Sequence, residues 1–183
     1  MTSRSSKTIR YRPIGVVRSP FTRSDEAPIQ PRYAADAAGR AEIWPEFEGG
    51  LADLEGFSHI ILIYHLDRSG PAQLRVKPFL QDVERGVFAT RAPCRPNPVG
   101  MSVVELVARE GPTLHLKGVD MLDETPLLDI KPYVSRFDCW QTTRDGWQNE
   151  VDEETARRRG RRAASAPLDQ AAGPERPPAE GLK

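Results

Sequence analysis

Two stretches of this 183-residue chain gather side chains able to do chemistry. The first runs Thr90-Arg91-Ala92-Pro93-Cys94-Arg95-Pro96-Asn97-Pro98-Val99-Gly100-Met101. Its prolines fix φ and stiffen the segment before any ligand arrives. Stiffness reduces the ordering entropy that binding must overcome. Arg91 and Arg95 are permanent cations, able to grip a carboxylate or phosphate through two N–H groups. Asn97 offers a donor and an acceptor, as an adenine edge requires. Gly100 lets backbone approach a ligand closely. The same residues also read as a structural proline-rich turn with its arginines in solvent.

The second stretch, residues 118–133, carries Asp120, Asp123, Glu124 and Asp129. Asp120 and Asp123 can accept hydrogen bonds from a ribose or an ammonium group. Asp129 and Lys131 can pair with each other across a turn. For each acid, a turn position or a surface ion pair is the alternative. His59 and His65 lie six apart in an apolar run, so both face one side of a strand. His65 sits at the strand end, where loops gather, although a histidine satisfied within the core is the simpler reading. The run Arg157-Arg158-Arg159-Gly160-Arg161-Arg162 suits phosphate contact or a solvated tail.

Several chemistries lack their signatures. The chain has no G-x-G, no P-loop, no G-x-S-x-G, no H-E-x-x-H and no Cys-x-x-Cys. Rossmann cofactor binding, nucleotide hydrolysis and zinc catalysis therefore have little support, and no metal site is expected.

The elements that must position these groups are short. Ile14 to Val17, Ala41 to Trp44, Phe57 to Leu66, Gly86 to Arg91, Met101 to Val107, Leu114 to Met121 and Leu127 to Ile130 read as strands. Phe57 to Leu66 is the most apolar and is expected to be a buried central strand. Residues 22–38 read as a long loop, and residues 92–100 exclude both a helix and a central strand. Glu110-Gly111-Pro112 is a hairpin connection. Many short strands between turns favour a closed β-barrel, and the absence of alternating strand and helix blocks argues against a doubly wound sheet. The fold class expected is therefore mainly β: a small closed β-barrel with short helices and a disordered C-terminal tail. Residues 1–8 are expected to be a disordered N-terminus, 9–140 the barrel domain and 141–155 a closing segment. Residues 156–183, with six arginines, four prolines and no aromatic residue, are expected to be the disordered tail.

Composition bounds the class. The 17 prolines and 14 glycines disfavour a helical bundle. With 26 basic and 26 acidic side chains the net charge is zero, so nucleic-acid contact must come from local patches. Cys94 and Cys139 are too few for a disulfide framework and read as reduced thiols. No secretory signal and no membrane-length apolar run is visible, which makes the cytoplasm the expected location.

Six stretches carry a family resemblance, in order and with compatible spacing: Ile14 to Phe21 (IGVVRSPF), Gln30-Pro31, Leu51 to His59 (LADLEGFSH), Gly86 to Arg91 (GVFATR), Arg95 to Ser102 (RPNPVGMS) and Asp120 to Tyr133 (DMLDETPLLDIKPY). In these the chain resembles the TrmO family, also called TsaA-like proteins, which methylate N6-threonylcarbamoyladenosine at tRNA position 37. The resemblance implies a non-Rossmann barrel that binds S-adenosylmethionine, a tRNA substrate, and a homodimer with the cofactor near the subunit interface. By position it implies cofactor contacts at Gln30, Pro31, Arg32, His65, Leu66, Arg91, Met101, Lys117, Gly118, Val119 and Asp120. Arg95 and Asn97 remain for substrate or phosphate. Arg32 stands where glycine is familiar in the family.

Methylation of a carbamoylated N6 needs removal of its proton, because the nitrogen lone pair is delocalised. A carboxylate such as Asp120 or Asp123 is expected to take that proton, the alternative being that either serves only to bind the cofactor. Two other readings stay open: the same barrel acting on another RNA or a small molecule, and a non-catalytic RNA- or nucleotide-binding barrel. The second is disfavoured by an aromatic content of 7%, embedded mostly in apolar runs.

Overall fold

The apolar run expected at the centre forms strand β3, His59–His65, and every second side chain turns inward. Ile60 and Leu62 are fully buried and Tyr64 nearly so, while Ile61 and Ile63 face outward and are half-buried. This period of two is what a strand with a core on one side requires. The structure is a computed structural model and describes residues 8–161.

Around β3 stand β1 (Gly15–Arg18), β2 (Ala38–Ile43), β6 (Val99–Glu110), β7 (Thr113–Lys117) and β8 (Thr125–Pro132). A separate two-stranded ladder is made by β4 (Arg75–Val76) and β5 (Arg85–Gly86). The six form a closed barrel in the order β1-β2-β7-β6-β3-β8, antiparallel throughout. Closure pairs the strand edges that an open sheet would expose. Val17, Ala41, Leu62, Leu114, Leu127 and their neighbours fill the interior. The β6–β7 hairpin turns at Gly111, whose φ of +57° favours glycine.

Several boundaries differ from the sequence expectation, each for a local reason. Gly86 to Arg91 does not continue as a strand: after Gly86 the chain enters a 3₁₀ turn, Val87–Ala89. The Thr90 N–H and hydroxyl both donate to the Val87 carbonyl, at 3.1 and 2.9 Å, replacing ladder bonds with local ones. β7 stops at Lys117 rather than reaching Met121, because Gly118 takes φ +78° and the N–H groups of Gly118 and Val119 turn to the Ala37 carbonyl. β2 begins earlier than expected, at Ala38, where it pairs with Lys117.

The C-terminal side departs most. The expected tail begins at Ala156, yet Glu153–Gly160 is helix α2, following the short helix α1 at Ser135–Asp138. Asp152 caps α2 by accepting from the Thr155 N–H at 2.8 Å. Glu153 and Glu154 occupy its first turn and Arg157, Arg158 and Arg159 its last, complementing the helix dipole. The remainder of the expected tail, from 162, and residues 1–7 lie outside the described residues.

Candidate active site

Strand direction decides where the reactive groups collect. The ends of β1, β7 and β3 and the starts of β2, β6 and β8 all lie at one mouth of the barrel, because neighbouring strands run antiparallel. Loops 19–37, 66–98 and 118–124 therefore meet there and enclose an open cleft of about 780 Å³. That volume falls in the upper part of the range of small-molecule sites, roughly 300–1,000 Å³.

At the floor lies a buried polar relay. The Ser102 hydroxyl donates to Asp120 Oδ1 at 2.7 Å, and the Tyr64 hydroxyl lies 3.0 Å from Ser102 Oγ. All three residues are buried, and Asp120 and Tyr64 line the cleft. Gly100 makes room for this relay: a Cβ there would fall 2.2 Å from the Tyr64 ring. Gly100, expected to let backbone approach a ligand, does line the cleft, and it also gives room to this ring.

Burial pushes the Asp120 carboxyl up to about 7, against the lowering effects of the Ser102 bond, its own backbone N–H and the charge of Arg91. A carboxyl poised near neutrality can exchange a proton under physiological conditions. Burial likewise raises the Tyr64 phenol, which keeps it a neutral hydrogen-bonding group.

Loop 118–124 is pinned on both sides of Asp120. Val119 is fully buried in the core. The Met121 carbonyl accepts from the Ser19 hydroxyl at 2.7 Å, and the Asp123 N–H donates to the Phe21 carbonyl at 2.7 Å. Asp123 Oδ1 accepts from the Ser19 N–H at 3.1 Å, and Oδ2 lies 3.9 Å from Arg18. This carboxylate is committed to the loop–strand junction and is absent from the cleft lining, whereas Asp120 faces the cleft.

The proline-rich loop supplies the opposing charges. The Arg91 guanidinium donates to Gln30 Oε1, joining loop 66–98 to loop 19–37. Arg95 donates to the Thr90 and Ala92 carbonyls at 3.2 and 3.3 Å, so it braces its own loop while lining the cleft with exposed Asn97. Leu66, Met101, Met121 and Leu122 add apolar wall.

Of the residues singled out from the sequence, Gln30, Leu66, Arg91, Arg95, Asn97, Met101 and Asp120 come together around the cleft. Pro31, Arg32, His65, Lys117, Gly118 and Val119 do not line it. Pro31 and Arg32 lie in the 3₁₀ turn beside Gln30, and Val119 is core. His65 is on the outer face with His59, Ile61 and Ile63, and Lys117 is an exposed strand end. Sequence reasoning missed Tyr64 and Ser102. Tyr64 was hidden within an apolar run, and its only signal was a phenol that must find a partner when buried. Asp129 and Lys131 do pair, at 2.7 Å. Among the described residues, no group of three or more His, Cys, Asp or Glu is arranged to hold a metal ion, and no helix is long and apolar enough to cross a membrane.

Fold and cleft together define a class: a single closed barrel with a ligand-sized, loop-built cleft at one mouth, distinct from doubly wound cofactor folds. The chain belongs to the tRNA-methyltransferase O N-terminal domain family, which it matches over residues 16–139. It is 55% identical over 139 residues to a probable S-adenosyl-L-methionine-binding protein of Pyrococcus abyssi, covering 76% of each chain. It is 37% identical over 136 residues to a mouse tRNA (adenine(37)-N6)-methyltransferase, covering 70% of this chain and 32% of that one. Its fold superposes on the crystal structure of TrmO from Pseudomonas aeruginosa with a TM-score of 0.65 and 39% identity, covering 76% of this chain and 62% of that chain. The chain thus spans about a third of the mouse enzyme and less than two thirds of the bacterial one.

Proposed function

We propose that this chain is an S-adenosylmethionine-dependent tRNA methyltransferase acting on N6 of threonylcarbamoyladenosine at position 37, with Asp120 as the base that takes the N6 proton. The observation that carries the reading is the Asp120 carboxyl, buried at the cleft floor, held by Ser102 and poised near neutrality beside Arg91. Family membership supports the methyl-transfer class, and the names of the relatives support the adenine acceptor.

The residues present fit the donor. Arg91 offers a carboxylate partner, the Gln30 and Asn97 amides offer polar contacts to a nucleoside, and Leu66, Met101 and Leu122 offer apolar surface. When bound, S-adenosylmethionine supplies an electrophilic methyl group on a sulfonium. Asp120 accepts the proton that leaves N6, and Ser102 keeps the carboxylate aimed by donating to Oδ1. Tyr64 stays protonated and braces Ser102. Asp123 is left out of this scheme because its oxygens serve Ser19 and Arg18.

A homodimer is part of the proposal. Val99 and Met101 are exposed on the outer face of the barrel and continue onto half-buried Ile61, Ile63 and Val103 of the same face. Because Met101 also lines the cleft, a second copy seated there would reach the cofactor site. Light scattering should give twice the monomer mass, falling to one with Ile61→Arg. The cytoplasm is the proposed location, where such tRNA modification belongs.

The test is calorimetry with S-adenosylmethionine, together with mass spectrometry of tRNA nucleosides from a deletion strain. Micromolar-range binding that Arg91→Ala abolishes, and loss of the methylated threonylcarbamoyladenosine peak, are expected. An unchanged peak would transfer the activity to another acceptor, and absence of donor binding at millimolar ligand would leave a non-catalytic barrel.

A further inference from the structure

We propose that the C-terminal segment, residues 145–160, forms the acceptor wall of the cleft, with the Trp147 indole as the platform on which an RNA nucleobase stacks. The inference rests on the proposed tRNA activity and adds to it the residue that reads the acceptor. The segment lies beyond the stretch matched to the family, which ends at residue 139.

The residues suited to the donor, Gln30, Leu66, Arg91, Met101 and Asp120, account for only part of the cleft lining. Lys77, Trp147 and Gln148 contribute further wall and come from two places: the β4–β5 region and the segment that packs beside it.

That segment is tied down along its length. The Trp147 Nε1–H donates to the Ala89 carbonyl at 2.7 Å. Glu150 accepts from Gln81 and from Arg85, each at 2.7 Å. Arg159 grips Asp82 through two bonds, at 3.1 and 2.9 Å. The Gly160 carbonyl accepts from the Ile29 N–H of the first loop at 3.0 Å. Gly160 itself lies against Tyr33, where a Cβ would fall 2.6 Å from the ring. The segment thus links the first loop to the β4–β5 region.

Trp147 is half-buried and lines the cleft, and its one polar atom is already bonded to the protein. Such an indole asks no hydrogen bond of a ligand and offers its π-face. Held in place, it stacks a base with little loss of side-chain entropy. Stacking tolerates a substituent at N6, because it uses the face of the base and leaves its edge free. Lys77, in the same lining, supplies a cation for the phosphate backbone.

The decisive experiment uses the chain with Trp44→Phe and Trp140→Phe, which leaves Trp147 as the remaining indole of three. It is titrated first with S-adenosylmethionine and then with an anticodon stem-loop RNA carrying N6-threonylcarbamoyladenosine. Saturable quenching of the indole by the RNA is expected. In the otherwise natural chain, Trp147→Ala should weaken RNA binding about tenfold, the size of a lost base–aromatic stack. Donor affinity should be unchanged, and Trp147→Phe should restore most of the RNA affinity. Equal quenching by S-adenosylmethionine alone would assign the indole to the adenine of the donor and overturn the inference. RNA that binds and is methylated without quenching, or with unchanged affinity in Trp147→Ala, would overturn it while leaving the proposed function intact. RNA that fails to bind a protein that does bind donor would overturn both.

Discussion

The inward-facing rungs between β3 and β6 change character within a few residues. Ile60 opposes Val104, Leu62 opposes Ser102, and Tyr64 opposes Gly100. At one end the rung is wholly aliphatic. At the other, a phenol, a hydroxyl and, from the next loop, the Asp120 carboxyl share a buried chain of hydrogen bonds. Both ends are buried, so burial alone does not distinguish them. What differs is that the aliphatic end gains free energy from burial, whereas the polar end must offset the desolvation of an ionisable group with only one side-chain donor. The barrel is thereby divided into a half that stabilises and a half that is available for chemistry.

That division can be broken at several points. The largest expected effect is on turnover. Asp120→Asn should lower single-turnover methyl transfer by about 100-fold or more, the usual contribution of a general base, while calorimetry shows donor affinity changed far less. A parallel loss of donor affinity would make Asp120 a binding residue only.

Next is the aliphatic end. Ile60→Ala should cost about 2–5 kcal/mol in urea denaturation, because the side chain is fully buried within the hydrophobic core. A cost under 1 kcal/mol would mean that the barrel collapses readily around the gap. Gly100→Ala tests the junction between the halves and should cost about 1–3 kcal/mol through overpacking against Tyr64. Gly86→Ala, which meets nothing within 4 Å, is the matched control and should stay within about 0.5 kcal/mol.

The polar half should also leave a pH signature. The Asp120 carboxyl, ordinarily near 3.8, is raised to about 7 in the fold, so the folded state favours its protonated form. Its contribution to stability is full below about pH 4 and is lost as pH rises through about 7. Asp120→Asn, which cannot ionise, should therefore gain stability over the natural chain at pH 8 more than at pH 4. An equal difference in melting temperature at the two pH values would remove burial as the cause. The smallest effect is expected at the exposed Arg159–Asp82 pair: Asp82→Ala should leave the melting temperature nearly unchanged, since solvent screens the pair.

Much of the barrel was legible from local patterning. The alternation in β3, the hairpin at Gly111 and the proline-rich loop each follow from residue type and spacing within a few positions. The boundaries that failed depend on distant partners or on competing local bonds. β2 extends to Ala38 because Lys117 is there to pair with it, and Gly86 to Arg91 turns because Thr90 bonds back to Val87. Helix α2 had a readable start at Asp152, with acids in its first turn and arginines in its last, but the composition of the residues beyond masked it.

The same distinction governs the site. Arg91, Asn97 and Asp120 were visible as candidates because their chemistry is written in their side chains and in the stiff or turning segments that hold them. Asp120 and Asp123 could not be told apart, since both are acids on one short loop. Tertiary structure decided between them by turning one toward the cleft and bonding the other to Ser19. Tyr64 and Ser102 became functional candidates only through the β3–β6 register, which brings together side chains 38 positions apart. Side-chain chemistry and strand period are properties of local sequence. Burial, and with it the poise of a carboxyl near neutrality, arises only when strands far apart in sequence close a common interior.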